Sequence, residues 1–262
     1  MEVLRFILSG KYAFFKKPEV NSYYYFTYGN IHKVALLGLF GALLGYGGYT
    51  QMRAFEKEGK RTKLSKGFPE FYERLKDLHI SILPVSGCKN GVIPKKIQTF
   101  NNSVGYASRE QGGNLIVREQ WLEKPEWDIC LRLDSEEALK IKDALCRRRC
   151  VYYPYLGKND HPADIREVRV EQISAINFIT GKLDCLLPKS EVTLAGTDID
   201  DPDDFDDEDA GGTFKYEEAL PYEMDEWINH YILKTFMYTD WPVKTERMTV
   251  YRLDDGKSIV FY

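Results

Sequence analysis

The first residues of this sequence with chemistry in their spacing lie between 11 and 33. Tyr12, Phe14, Phe15, Tyr23, Tyr24, Tyr25, Phe26 and Tyr28 alternate with Lys11, Lys16, Lys17 and Lys33. Nucleic-acid bases stack on aromatic faces and phosphates pair with cations, so this interleaving suits single-stranded RNA. The same tyrosines could instead pack on a sheet with the lysines in water, and spacing alone leaves both readings open. Asn30, His32 and Lys33 stand where a glycine-rich helix begins, and free N–H groups at a helix start attract phosphate; ordinary capping explains them equally. A third candidate is the stretch 84–119, rich in Gly, Asn and Ser, with Lys89, Lys95, Lys96, Arg109 and Arg118.

Catalytic patterns are sparse. The four histidines, His32, His79, His161 and His230, form no His-x-x-x-His or His-Glu-x-x-His pair, and no phosphate-loop motif occurs, which argues against zinc hydrolases and P-loop NTPases. A metal-independent ribonuclease needs a base, an acid and a cation near the phosphate. Tyr28, His32 and Lys33 are close enough in sequence to supply them. The five cysteines are scattered, with no Cys-x-x-Cys pair, so neither a disulfide framework nor a cysteine-type metal site is expected.

These residues need elements to position them. Glu2–Ser9 reads as a buried strand and 11–30 as a long ordered loop, followed by a helix from about Ile31 to Tyr46. Phe68, Phe71, Tyr72 and Leu75 mark a short helix opened by Pro69, and 79–83 a strand. Weak strand signals at 91–93 and 114–117 make 84–119 a protruding hairpin or arm. Trp127, Ile129, Leu131 and Leu133 alternate as a half-buried strand. Asp134-Ser-Glu-Glu137 resembles a capping box opening a helix to about Arg148, and 168–179 supplies another strand. Strand, helix, strand, arm, strand, helix, strand is the ferredoxin-like βαββαβ pattern of RNA-recognition folds. The fold class expected is therefore α+β, with a thumb insertion at about 84–119 and a C-terminal β extension ending in a hairpin around Asp254-Asp255-Gly256-Lys257. The expected organisation is an RNA-binding domain over 1–188, an acidic flexible linker over 189–213 and a β segment over 214–262.

The net charge of −4 conceals an asymmetry. Residues 1–181 carry 28 basic and 20 acidic side chains, whereas 182–262 carry 8 and 20. Nine of those acids fall between Asp198 and Asp209, so the mildly acidic total does not argue against nucleic acid. From Val34 to Met52 no residue is charged, close to a membrane-spanning length, but five glycines dilute the stretch, which suits a helix packed on a sheet equally well. No secretory leader is legible in the first eight residues.

At the loop and the glycine-rich helix the sequence resembles a known family. Gly10-Lys-Tyr-Ala-Phe14, Lys17-Pro18, Thr27-Tyr28 and the run from Val34 to Gly45 are similar to the opening of the fifth CRISPR-associated protein family, in the repeat-associated mysterious protein (RAMP) superfamily; Pro154-Tyr-Leu-Gly-Lys158 looks like its second landmark. The branch most resembled is type I-B. The resemblance implies a ferredoxin-like fold with a β-hairpin thumb, here the 84–119 arm. It implies a cytoplasmic, non-catalytic subunit of Cascade, the RNA-guided surveillance complex of antiviral defence, without membrane attachment, cofactor or metal. Such a subunit holds the 5′ handle of the CRISPR RNA and caps the backbone filament. Its implied partners are that RNA, the backbone subunit, the large subunit and target DNA near the protospacer-adjacent motif. The family usually carries proline between the Thr-Tyr pair and the helix, where this chain runs Gly29-Asn-Ile-His-Lys33. The Tyr, Lys and His with which the type I-C branch cuts precursor RNA have no Lys-His counterpart in the arm, where Lys95-Lys96 precedes Ile97. No catalytic residue is carried over, and an endoribonuclease processing precursor RNA is the rival reading. The RNA contacts expected are Lys16, Lys17, Tyr28, Asn30, His32 and Lys33 at the handle, Lys95, Lys96 and Arg109 on the thumb, and Arg147, Arg148 and Lys158 beyond them.

Overall fold

In the computed structural model, residues 1–19, 23–57, 67–85, 90–101, 105, 109, 111, 116–195 and 214–262 are described, the side chains of 54–57 excepted. The acidic run 198–209, Lys89 and most of 102–115 lie outside them.

The elements follow in chain order as β1 (Glu2–Ser9), β2 (Tyr12–Ala13), β3 (Tyr24–Tyr25), α1 (Lys33–Leu44), α2 (Tyr49–Lys57), α3 (Glu70–Leu75), β4 (Ile80–Pro84), β5 (Lys95–Asn101), β6 (Ile116–Glu123), β7 (Glu126–Arg132), α4 (Glu136–Cys146), β8 (Asp164–Gln172), β9 (Ser174–Ala175), β10 (Leu187–Pro188), β11 (Thr193–Leu194), β12 (Lys215–Met224), β13 (Tyr231–Thr239), β14 (Val243–Lys244), β15 (Tyr251–Arg252) and β16 (Ser258–Ile259). The chain is a mixed fold, mostly strands with few helices. Its central sheet has the order β4-β7-β1-β8, every neighbour antiparallel.

Alternation decides which side of this sheet each residue faces. Leu4, Phe6 and Leu8 of β1, with Trp127, Ile129 and Leu131 of β7, share one apolar core with α1, α3 and α4. Val3 and Cys130 point the other way and pack with Ile173, Leu183, Cys185, Val250 and Ile259. The C-terminal segment thus covers the face that the helices leave bare. Leu220, Met224, Phe236 and Tyr262 from that segment also join the helix-side core.

α1 is apolar nearly all round because it is enclosed nearly all round. At Gly41 an added Cβ would lie 2.5 Å from Phe71 Cβ, so only glycine permits the close approach of α3. α1 has 12 residues, and among the described residues no helix is long and apolar enough to cross a membrane. The arm is a hairpin in which β5 pairs with β6 from Lys95↔Leu122 to Asn101↔Ile116. Its first strand begins at Lys95 rather than at 91–93, where Ile93 is buried and Gly91 takes a left-handed turn. The α4 N-cap is Ser135, not Asp134: its hydroxyl accepts from the Ala138 N–H at 3.2 Å, and Glu137 instead reaches Tyr46 and Arg74. β8 begins at Asp164, four residues before the expected start, because pairing with β1 extends it. The hairpin at 254–257 is present between β15 and β16, with Gly256 left-handed at φ +86°.

Candidate nucleic-acid interface

A concavity of about 810 Å³ runs along the open face of α1. Ala35, Gly38 and Ala42 recur at helical spacing and leave a shallow floor. Tyr46 and Tyr49, Tyr152 and Tyr155, and Tyr231 of β13 also line the cleft. Lys16 and Lys158 line the same cleft, as do His32 and Glu119. Rings with cations beside them are the parts from which single-stranded nucleic-acid grooves are made.

The lysines around this cleft sit over aromatic faces. Lys16 Nζ is 4.1 Å from the centroid of Tyr25, and Lys17 Nζ is 5.0 Å from that of Tyr28 while pairing with Glu218 at 3.0 Å. Lys96 Nζ donates to Tyr12 Oη at 2.8 Å. Lys158 Nζ meets Glu119 Oε2 at 2.8 Å and lies 5.3 Å from the centroids of both Phe100 and Trp121. Trp121 Nε1 donates to the same carboxylate at 2.7 Å. These contacts hold extended side chains in place, which lowers the entropy lost when a ligand engages them.

Other expected contacts are committed inside the protein. Asn30 is wholly buried: its Oδ1 accepts from Trp127 Nε1 at 3.1 Å and its Nδ2 donates to the Gly91 carbonyl at 3.3 Å. Tyr28 is 1% exposed, and burial raises its pKa. Lys33 is buried over Tyr222 at 5.0 Å, with its pKa lowered by desolvation to about 8. His32 caps α1, its Nδ1 accepting from the Ala35 N–H at 3.1 Å. Phe15, Tyr28 and Tyr231 surround the His32 ring at 5.3–5.9 Å, and burial lowers its pKa to about 3. Capping, named above as the alternative at the helix start, is thus the role that His32 has. On the surface, Lys95 and Arg109 are exposed, Arg147 pairs with Asp143 at 2.8 Å, and Arg148 is exposed with a left-handed φ of 51°.

The structure therefore brings Lys16, His32 and Lys158 to one cleft, with Lys17 and Lys96 held on neighbouring rings. The sequence reading missed Tyr46, Tyr49, Tyr152, Tyr155 and Tyr231. A signal for two of them was present: Arg147-Arg-Arg-Cys-Val-Tyr-Tyr-Pro-Tyr155 sets three arginines directly before three tyrosines, the residue types of the 11–33 loop. Among the described residues, no group of three or more His, Cys, Asp or Glu side chains converges to hold a metal ion.

The neutral His32 gives a pH dependence. The unfolded chain takes up a proton at this position below about pH 6.5, whereas the folded chain does so only near pH 3. Stability is therefore lost as pH falls from 6.5. His32→Asn keeps a good capping residue and removes the titration. Between pH 6.5 and 5 the parent chain is expected to lose about 2 kcal/mol more than the variant. Urea unfolding at both pH values checks this, and parallel losses would contradict it.

No family model matches the sequence, and no curated protein matches it. Several solved structures are similar, among them the following three. A chain of a CRISPR RNA-guided surveillance complex is similar at TM-score 0.48 and 15% identity, over 91% of this chain and 90% of that one. A CRISPR protein from Archaeoglobus fulgidus is similar at TM-score 0.48 and 11% identity, over 100% and 98%. A chain of the type III-B Cmr-beta assembly bound to cognate target RNA and AMPPnP is similar at TM-score 0.47 and 11% identity, over 93% and 86%.

Proposed function

We propose that this chain is a non-catalytic RNA-binding subunit of a type I CRISPR surveillance complex, most like the type I-B branch. In this reading it grips the 5′ handle of the CRISPR RNA and caps one end of the backbone filament. Its further partners are the backbone subunit, the large subunit and target DNA beside the protospacer-adjacent motif, in the cytoplasm. Target specificity would come from guide pairing rather than from this protein.

The observation that carries the RNA reading is the tyrosine-walled cleft with Lys16 and Lys158 in its lining. The family reading is supported by the packing of the resembling segments on one another. Phe14 N donates to the Leu156 carbonyl at 3.0 Å, and a Cβ on Gly157 would lie 1.9 Å from the Phe14 carbonyl oxygen. We read the order β4-β7-β1-β8, with α1 and α4 as crossovers, as a ferredoxin-like sheet and the β5–β6 hairpin as its thumb.

The non-catalytic reading is supported by the fate of the three side chains considered for cleavage. Tyr28, His32 and Lys33 are all buried, and His32 Nδ1 is occupied as a cap. The test is a titration of the purified chain against labelled single-stranded RNA in EDTA. Saturable binding with intact RNA is expected, weakened by Lys16→Gln with Lys158→Gln. Site-specific cleavage would favour the endoribonuclease instead.

A further inference from the structure

The connection from α4 to the Gly157 turn forms a ridge between two grooves. Tyr152 and Tyr155 wall the cleft on α1, whereas Arg148, Arg149 and Pro154 line a second groove of about 660 Å³ against β8. The ridge is pinned rather than loose. Arg149 N bonds the Ala144 carbonyl at 2.8 Å, Val151 N bonds Leu43 O at 3.0 Å and Tyr152 N bonds Ala42 O at 3.1 Å. Ala163 N bonds the Pro154 carbonyl at 3.0 Å.

On this fixed backbone Tyr153 is 89% exposed and Tyr152 58%. A phenol ring held that far into water contributes little to the fold and offers a free stacking face. Four and five residues before Tyr153 in the chain stand two exposed guanidiniums. Arg147 is used by Asp143, but Arg148 and Arg149 have no acidic partner among the described residues. The second groove is also lined by Asp164, Arg166 and Glu167, a mixed set that gives phosphate no net attraction, whereas the ridge itself carries only cations.

We propose that the Arg148–Tyr153 ridge is a second single-stranded nucleic-acid contact, in which Arg148 and Arg149 hold phosphates and Tyr153 stacks a base. It rests on the RNA-binding reading and extends that path beyond the cleft, because Tyr152 belongs to both surfaces. A cation next to an exposed ring suits stacked bases and phosphates together.

The test uses the full chain and fluorescein-labelled 15-nucleotide oligo(U) and oligo(dT), titrated over a range of salt concentrations, with unfolding midpoints measured for each variant. Tyr153→Ala is expected to weaken binding about tenfold without changing the salt dependence. Arg148→Gln with Arg149→Gln should reduce the slope of log affinity against log salt by about 1.4, roughly 0.7 for each lost phosphate contact. Arg148→Lys with Arg149→Lys should retain the slope. Parent-like binding by the tyrosine and glutamine variants would overturn the ridge while leaving the cleft reading intact. Absence of binding by the parent chain would overturn both.

Discussion

Replacing Arg5 by Met should cost about 3–5 kcal/mol of stability, because it breaks a buried charge network in the central sheet. Arg5 lies in β1, 1% exposed, on the sheet face away from the helices. Its Nε and Nη2 grip Asp128 at 3.0 and 2.6 Å, Nη1 donates to Glu171 at 3.1 Å and Nη2 also reaches Asp255 at 2.6 Å. Burial by itself would lower the guanidinium pKa, but the hydrogen bonds to Asp128 and Asp255 outweigh it and raise the value. Removal of Arg5 strands the buried Asp128 carboxylate, whereas Glu171 keeps Arg169 Nε at 2.6 Å. Lys257 Nζ stands 3.5 Å from Asp128, but it is partly solvated and cannot supply a planar, two-pronged grip.

Asp128→Asn in the same chain should recover part of the loss, because it removes the stranded charge. The same network sets an acid sensitivity. Burial alone would raise the Asp255 pKa, but bonds from Arg5 and Lys257 lower it overall. Its contribution is present above the ordinary aspartate pKa of about 3.9 and is lost as pH falls below that. Urea unfolding at pH 7 measures the main effect, and a loss below about 1 kcal/mol for Arg5→Met would contradict it.

Gly157→Ala is the second large effect, at roughly 2–5 kcal/mol. The residue is left-handed, at φ +86°, which alone strains alanine. Space decides the size of the effect. The new Cβ would lie 1.9 Å from the Phe14 carbonyl oxygen and 2.7 Å from its carbon. These are backbone atoms, so no rotamer change relieves the contact. Leu156 N to His161 O at 2.8 Å and His161 N to Lys158 O at 2.9 Å fix the turn that aims Lys158 at Glu119. The substitution should therefore lower the unfolding midpoint and weaken RNA binding together. Parent-like stability would show that the turn can shift without cost.

Local signals were readable where local physics decides. The alternation in 127–133, the apolar stripe of α4 and the Asp-Asp-Gly-Lys turn each specify an element within a few residues. Long-range pairing was not readable. Arg5, Asp128, Glu171 and Asp255 are up to 250 residues apart, and nothing near Arg5 marks it as buried in a charge network. The same limit applies to the site. Asn30 and Lys33 have the side chains of a phosphate-binding helix start, but Trp127 and Tyr222 come from distant strands to enclose them. Lys16 and Lys158 become neighbours of one cleft only because the Gly157 turn packs on the Phe14 backbone.

Co-purification from the native cell tests the central claim most directly. The tagged chain should bring down a small RNA with a uniform 5′ end, together with further protein subunits. Recovery of the chain without RNA or partners would contradict its assignment to an RNA-guided complex.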